Sequence, residues 1–444
     1  MRKPIAVLAF SGGLDTSFCV PWLQEQGYDV VTASVDTGGF SPADLAQIES
    51  RAEELGALAH HTIDGRQDLW DLVVGYIIRG NVLRGGVYPL CAGPERLVQA
   101  MHVVEVAQHY GAEAIAHGST GAGNDQVRFD LAIRVLMPGA KIITPIRELG
   151  AQRTFEAEYL ASRGHAVPEK TGRYSINKGL LGTTIGGGET LDSWEHPPDT
   201  AFVDTTAPSE APDEPHTLVL SFEEGLPTAL DGVTMPPLEL MAALAEVGAK
   251  HGVGRGIHLG NTVLGLKGRI AFEAPAAIIA ITGHRELEKL VLTKQQQFWK
   301  DHLADVYGNM LHEGLYFDPV MRDIEAMMRS SQQTVTGDVR VKLFKGHIQV
   351  EGCRSPYSLL DRKVGTYGET NSAWTGEEAA AFCKLYGLQS VLAKGVRGWN
   401  PDDGQWAIDD GGKDTGSVTP IVHRPSSIVR SPVKKEAHHA SKAR

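Results

Sequence analysis

Ser11-Gly12-Gly13-Leu14-Asp15-Thr16-Ser17 follows an apolar run at residues 5–10 and precedes a helix-like segment, so a glycine-rich turn joins a strand to a helix. That junction suits phosphate. Unpaired N–H groups at a helix start converge on an anion, and the helix dipole favours negative charge there. Two adjacent glycines let the chain approach phosphates with no Cβ in the way, and Ser11, Thr16 and Ser17 add hydroxyl donors. Asp15 is the odd member, because a carboxylate beside phosphates is repelled unless it holds a metal ion or caps backbone amides. Pro21 falls inside the expected helix and denies a bond to the Ser17 carbonyl.

Outward from this loop, strand-like runs at 5–10, 30–35, 58–63, 114–117 and 141–146 alternate with helical stretches such as 42–55 and 96–110. The alternation predicts an α/β fold with a parallel, doubly wound sheet over residues 1–165, whose ligands bind beyond the carboxyl ends of the strands. A second polar loop, Gly118-Ser119-Thr120-Gly121-Ala122-Gly123-Asn124-Asp125-Gln126-Val127-Arg128, leaves the fourth strand at that same end. Two such loops suggest one site. Thr120 and Asn124 offer neutral hydrogen bonds, Arg128 a planar fork for a carboxylate, and Asp125 an acceptor for an ammonium, a set suited to an amino-acid substrate. His117 reads equally as a base or as a hydrogen-bonded core residue.

Residues 197–215 carry five prolines and read as a connection. Beyond it a strand at 216–222, a helix at 237–250, a long helical stretch at 286–310 and a hairpin at 338–352, turning at Lys345-Gly346, make an α+β unit over 170–396. Residues 397–444 lose periodicity and read as a disordered tail.

A chain of 444 residues is too long for one core. Its four cysteines lack any C-x-x-C pairing, which argues against a disulfide framework, a zinc site or a dithiol centre and reads as buried thiols. A formal net charge of −12 gives no support to nucleic-acid binding. No apolar stretch is long enough for a membrane span, and the start leads straight into a strand, so the expected location is cytoplasmic.

The two loops together resemble the argininosuccinate synthase family, whose signature S-G-G-x-D-[ST]-[ST] stands here as Ser11 to Ser17 and whose second stretch runs from His117 to Phe129. Tyr88-Pro89-Leu90, Tyr174-Ser175-Ile176-Asn177 and His251-Gly252-Val253-Gly254-Arg255 also match, over residues 5 to about 387. The resemblance implies an adenine nucleotide alpha hydrolase-like domain followed by a synthetase domain, in a homotetramer to which a helix at 376–386 contributes. It implies ATP-dependent ligation of citrulline to L-aspartate through a citrullyl-AMP intermediate, with no nucleophile from the enzyme. ATP would be held by Ala9, Phe10, Ser11, Gly12, Gly13, Leu14, Asp15, Thr16, Ser17, Val35, His117 and Gly118, with Asp15 at the Mg²⁺ and pyrophosphate. Thr120, Asn124 and Asp125 would hold aspartate, and Tyr88, Asn124, Arg128 and Ser175 the citrulline moiety. Ser11, Asp15, Asn124 and Asp125 would carry the chemistry.

This chain departs from the family pattern at four pocket positions. Gly260 stands where a glutamate receives the citrulline α-ammonium, Phe272 where a tyrosine is expected, Gly93 in place of a serine, and Thr184 for another serine with its hydroxyl kept. Losing an acid that pairs with a buried ammonium is costly unless the ammonium is gone. One reading is an N-acetyl- or N-succinyl-citrulline, with Gly93 and Gly260 opening space for the acyl group; the other is that Glu273 or Glu189 takes over. The signature loop is shared with other ATP-pyrophosphatases. A tRNA-thiolating enzyme would need reactive cysteines and a basic surface, and asparagine or GMP synthetases would need glutaminase parts not found here. A nucleotide-binding paralogue without ligase activity is the remaining alternative.

Overall fold

The computed structural model describes residues 3–167, 172–369, 371 and 373–397. Two compact units result, residues 1–361 and the chain from Arg362 onward. The tail expected at 397–444 lies, from residue 398, outside the described residues.

Five parallel strands, β1 (Ile5–Ala9), β2 (Asp29–Asp36), β3 (Ala59–Asp64), β4 (Ala114–His117) and β5 (Lys141–Ile143), lie in the order β3-β2-β1-β4-β5. Helices cover both faces. Phe18, Leu23 and Ile48 pack with Ala6 and Leu8 on one, while Val103, Val104 and Phe129 pack with Val7 and Ile115 on the other, as the alternating side chains of a doubly covered sheet require. The helix Leu14–Glu25 runs through Pro21. The helix Pro42–Glu54 starts from a capping box, Ser41 accepting from the Asp44 amide while Asp44 accepts from that of Ser41, with proline at its first position. The strand expected to reach residue 146 stops at Ile143, because Pro145 opens the helix Pro145–Leu149.

A four-stranded antiparallel sheet, unforeseen in the sequence, is built from two hairpins, β6 (Tyr174–Gly179) with β7 (Gly182–Gly187) and β11 (Arg255–Asn261) with β12 (Lys267–Glu273), in the order β11-β12-β7-β6. Glycines and polar residues interrupt the apolar alternation that marks a strand. The remaining sheet is antiparallel, β10 (Val233–Thr234), β9 (Leu226–Leu230), β8 (His216–Glu223), β13 (Gly337–Phe344) and β14 (His347–Arg354). It shares a core with the helices Pro237–Lys250 and Pro275–Val291. The β13–β14 hairpin turns at Lys345-Gly346 as expected, both residues having positive φ. The helical stretch expected at 286–310 is two helices, because Leu292 is extended and a Thr293/Gln296 capping box starts Lys294–Glu313 afresh.

The turn between β6 and β7 docks directly on the chain leaving β2. Leu180 donates its amide to the Thr37 carbonyl at 2.9 Å. A Cβ on Gly39 would overlap the Lys178 carbonyl, one on Gly38 would lie 3.0 Å from the Leu180 nitrogen, and one on Gly179 would overlap the Glu95 carboxyl. Main chain meets main chain at Gly38 and Gly39, while at Gly179 the Glu95 carboxyl fills the space.

In the chain from Arg362 onward, Gly376–Tyr386 is a helix with a Thr375/Glu378 capping box, followed by Leu388–Arg397. Phe382, Leu385, Tyr386, Val391 and Leu392 are exposed. Of the four cysteines, Cys19 and Cys91 are buried, Cys353 is partly buried and Cys383 is exposed, so the expectation of buried thiols holds for two.

Candidate active site

The first loop leaves β1 and the second leaves β4, and these strands are paired with Ala9 opposite His117. The loops touch. A Cβ on Gly118 would lie 3.0 Å from Thr16 Cγ2, so any larger residue there would press on the first loop. Gly12 has φ 72°, a conformation that admits glycine freely, and Gly13 leads into the helix with no side chain capping its amides. The hydroxyls brace the turn: the Ser11 amide donates to Thr16 Oγ1 at 3.3 Å, Ser17 Oγ donates to the Gly12 carbonyl at 3.2 Å, and Arg51 Nε donates to Ser17 Oγ at 3.1 Å.

Asp15 hydrogen-bonds the carboxyl of Glu156, and desolvation followed by the Asp15 charge pushes Glu156 up to about 8. Its Oε2 is buried without a hydrogen-bond partner. Two adjoining carboxyls are a place where a divalent cation can bind in place of a proton. Among the described residues no group of three or more His, Cys, Asp or Glu could hold a metal, so a cation beside Asp15 would meet no more than two carboxylates. That suits Mg²⁺, which keeps water or phosphate oxygens around one or two carboxylates.

In the second loop Asn124 Oδ1 accepts from the Val263 amide at 2.9 Å, tying the loop to the β11–β12 turn. Asp125 receives Arg96 Nε at 3.0 Å and Arg128 Nη1 at 2.7 Å. Arg128 also donates through Nε to the His312 carbonyl at 3.0 Å, and its Nη2 lies 3.2 Å from His312 Nδ1. Its fork, expected to face a substrate carboxylate, is largely engaged by protein. His117 is buried, stacked on Phe129 and 2.9 Å from Asp130 Oδ1, as its core reading expects, and it also lines the cleft. Glu95 is buried with Oε1 unpartnered; desolvation pushes it up to about 8 against the pull of Arg96, and Asp125 and Asp36 add to the rise.

Across the cleft, Tyr88 stacks on His258 with centroids 5.3 Å apart. Arg84 donates through Nη2 to the Asn261 carbonyl at 2.8 Å and through Nη1 to His258 Nε2 at 3.4 Å. No carboxylate of the described residues pairs with it. Desolvation and the neighbouring guanidiniums keep both histidines neutral: His258 is lowered by burial and Arg84, and His312 falls to about 3 through burial, Arg128 and Arg84.

Gly93 and Gly260 free no space here. A Cβ on Gly93 would lie 3.1 Å from the Arg128 guanidinium carbon, and one on Gly260 would overlap His258 Nε2 with Arg84 Nη1 3.1 Å away. Cationic and imidazole groups fill both positions. Neither proposed substitute acid reaches the corner. Glu273 is buried and accepts from the amides of Val203, Asp204 and Thr205 and from the Thr205 hydroxyl, while Glu189 receives the Tyr174 hydroxyl at 2.5 Å and Arg173 at 2.6 Å.

A cleft of about 1320 Å³ collects these groups. It is lined by Ala9, Phe10, Ser11, Gly13, Leu14, Asp15, Thr16, Val35, His117 and Gly118, and equally by Tyr88, Gly93, Thr120, Asn124, Asp125, Arg128, Ser175, Thr184 and Gly260. Three expected positions are off it. Gly12 and Ser17 are held within the first turn, and Phe272 is buried behind Tyr88, 5.3 Å from its ring, in space that Gly256 leaves open. Arg84, Glu95, Arg96, His258 and His312 line the cleft and were missed. Arg84 on one side and Glu95 and Arg96 on the other flank the matched Tyr88-Pro89-Leu90, a signal that was available.

The Arginosuccinate synthase N-terminal HUP domain matches residues 5–168, and the Arginosuccinate synthase C-terminal domain matches 174–393. The chain is 44% identical to the argininosuccinate synthase of Xanthomonas campestris pv. campestris over 396 residues, covering 88% of this chain and 98% of that one. It is 41% identical to that of Bacillus subtilis, covering 87% and 95%, and 39% identical to that of Methanocaldococcus jannaschii, covering 87% and 97%.

Proposed function

The chain belongs to the argininosuccinate synthase family, ATP-dependent ligases, and from that membership we propose that it joins a citrulline-type ureido substrate to L-aspartate, splitting ATP to AMP and pyrophosphate. The observation that carries this reading is the contact of the two loops at adjoining strand ends, in one cleft with Tyr88, Arg128 and Gly260.

The ureido oxygen attacks the α-phosphorus as the bond to pyrophosphate breaks. The aspartate amine then attacks the ureido carbon, the bond to AMP breaks, and the amine's surplus proton leaves to solvent. No covalent enzyme intermediate is needed, so the protein supplies placement and charge. The uncapped amides after Gly13 with Ser11 and Thr16 face the phosphates; Asp15 with Glu156 would hold Mg²⁺, whose charge would counter that of the pyrophosphate. Thr120, Asn124 and Asp125 seat aspartate, and Tyr88, Asn124, Arg128, Ser175 and Thr184 the ureido substrate. Residues 1–165 carry the nucleotide and 170–396 complete the pocket and the assembly, a cytoplasmic homotetramer supported by the exposed apolar side chains of the last two described helices. No helix among the described residues is long and apolar enough to cross a membrane.

The ureido substrate has a neutral, acylated α-nitrogen. Support comes from Gly260 and its neighbours, where Arg84 and a neutral His258 stand and no acid is in contact. The test is release of AMP and pyrophosphate from ATP, Mg²⁺ and L-aspartate, with citrulline and with N-acetylcitrulline. Release that needs both aspartate and a ureido compound is expected; formation of ADP, or no release with either compound, would sink the ligase reading.

A further inference from the structure

We propose that Arg84 is a specificity-determining residue, which takes a carboxylate of the ureido substrate and rejects an α-ammonium. The proposal rests on the ligase reading and names the group that chooses its substrate. Around Tyr88 the cleft brings together two guanidiniums and two imidazoles. Arg128 is countered by Asp125 at 2.7 Å, a carboxylate that also receives Arg96 at 3.0 Å. Arg84 is not: its partners are a carbonyl and an imidazole nitrogen, and the nearby acid Glu313 is exposed and makes no ion pair with it. His258 and His312 are neutral and add no charge. This corner therefore carries surplus positive charge, and Arg84, partly withdrawn from water, has no carboxylate of its own.

A half-buried guanidinium without a counter-ion calls for an anion, and its fork matches a carboxylate. A free α-amino acid brings that carboxylate with an ammonium two bonds away, so the ammonium would stand among Arg84 and Arg128 with no acid to receive it. Acylation removes that charge and leaves the carboxylate. The other acids lining the cleft are Asp15, Glu95 and Asp125, none of which bonds Arg84.

The experiment is equilibrium binding by calorimetry to the whole protein, using L-citrulline, N-acetyl-L-citrulline and L-citrulline amide, whose net charges are zero, minus one and plus one. N-acetylcitrulline is expected to bind about 10- to 100-fold tighter than citrulline, the size of a charged hydrogen bond. Arg84→Gln abolishes that preference and Arg84→Glu turns it toward the amide. Equal or tighter binding of citrulline, no measurable binding of N-acetylcitrulline, or a preference that survives Arg84→Gln overturns the proposal. If Arg84→Glu fails to fold, the wild-type ranking and Arg84→Gln still decide. Pyrophosphate release is scored separately: its absence with every ureido compound sinks the ligase reading while the binding ranking still judges Arg84.

Discussion

The two ends of the cleft are made differently. At the first loop, the surface is backbone and small hydroxyl residues within seven consecutive positions, Ser11 to Ser17. Around Tyr88 it is long side chains drawn from residues 84, 128, 258 and 312. A backbone surface tolerates little change, because its donors are fixed by the turn itself. A side-chain surface can reverse its charge by a few substitutions while its strands stay in place, and the proposal puts reaction type at the first end and substrate choice at the second.

The hardest blow to this contrast falls on Asp15. If it holds Mg²⁺ at the leaving pyrophosphate, Asp15→Asn lowers the rate of pyrophosphate release about 100-fold or more, whereas an unchanged rate would remove the metal from that end. Next is Gly39→Ala, whose new methyl meets the Lys178 carbonyl; Tm should fall by roughly 2–6 °C, and KM for both substrates should rise. An unaltered melting curve would show that the seam yields.

The third test is pH. Glu95 and Glu156 both sit at about 8 in the folded protein, mainly because they are desolvated. A carboxyl whose folded pKa is raised stabilises the fold while protonated in both states, below the ordinary carboxyl value. That contribution is lost as pH climbs through about 8. The protein without ligands should therefore lose a few degrees of Tm between about pH 5 and 8, with Glu95→Gln removing about half of the slope; a flat profile would contradict the two buried acids. Smallest is Glu189→Gln, which should change the ranking of citrulline and N-acetylcitrulline less than about twofold, because an exposed ion pair contributes little and lies off the cleft. A larger shift would restore Glu189 as the substitute acid.

Legibility followed the same division. The parallel sheet was readable because short strand-like runs such as Ile5–Ala9 (IAVLA) alternate with helical stretches, even though β3 (AHHTID) is largely polar, and Ala114–His117 and the helix Pro237–Lys250 came out with the bounds expected. The β6–β7 and β11–β12 hairpins were not, since sequences such as Gly182–Gly187 (GTTIGG) carry no apolar alternation. Both polar loops were found from composition. Arg84 was missed because its meaning depends on Gly260 and His258, more than 170 positions away, and a surplus charge becomes visible only when the possible counter-ions can be counted in space.

The glycine seam at Gly38, Gly39 and Gly179 works as a calliper. Where two stretches of main chain meet at Gly38 and Gly39 with no side chain between them, the gap across the cleft is measured in backbone thickness, a quantity that mutation of the residues around Tyr88 does not alter. The jaws keep their spacing while what they grip is exchanged.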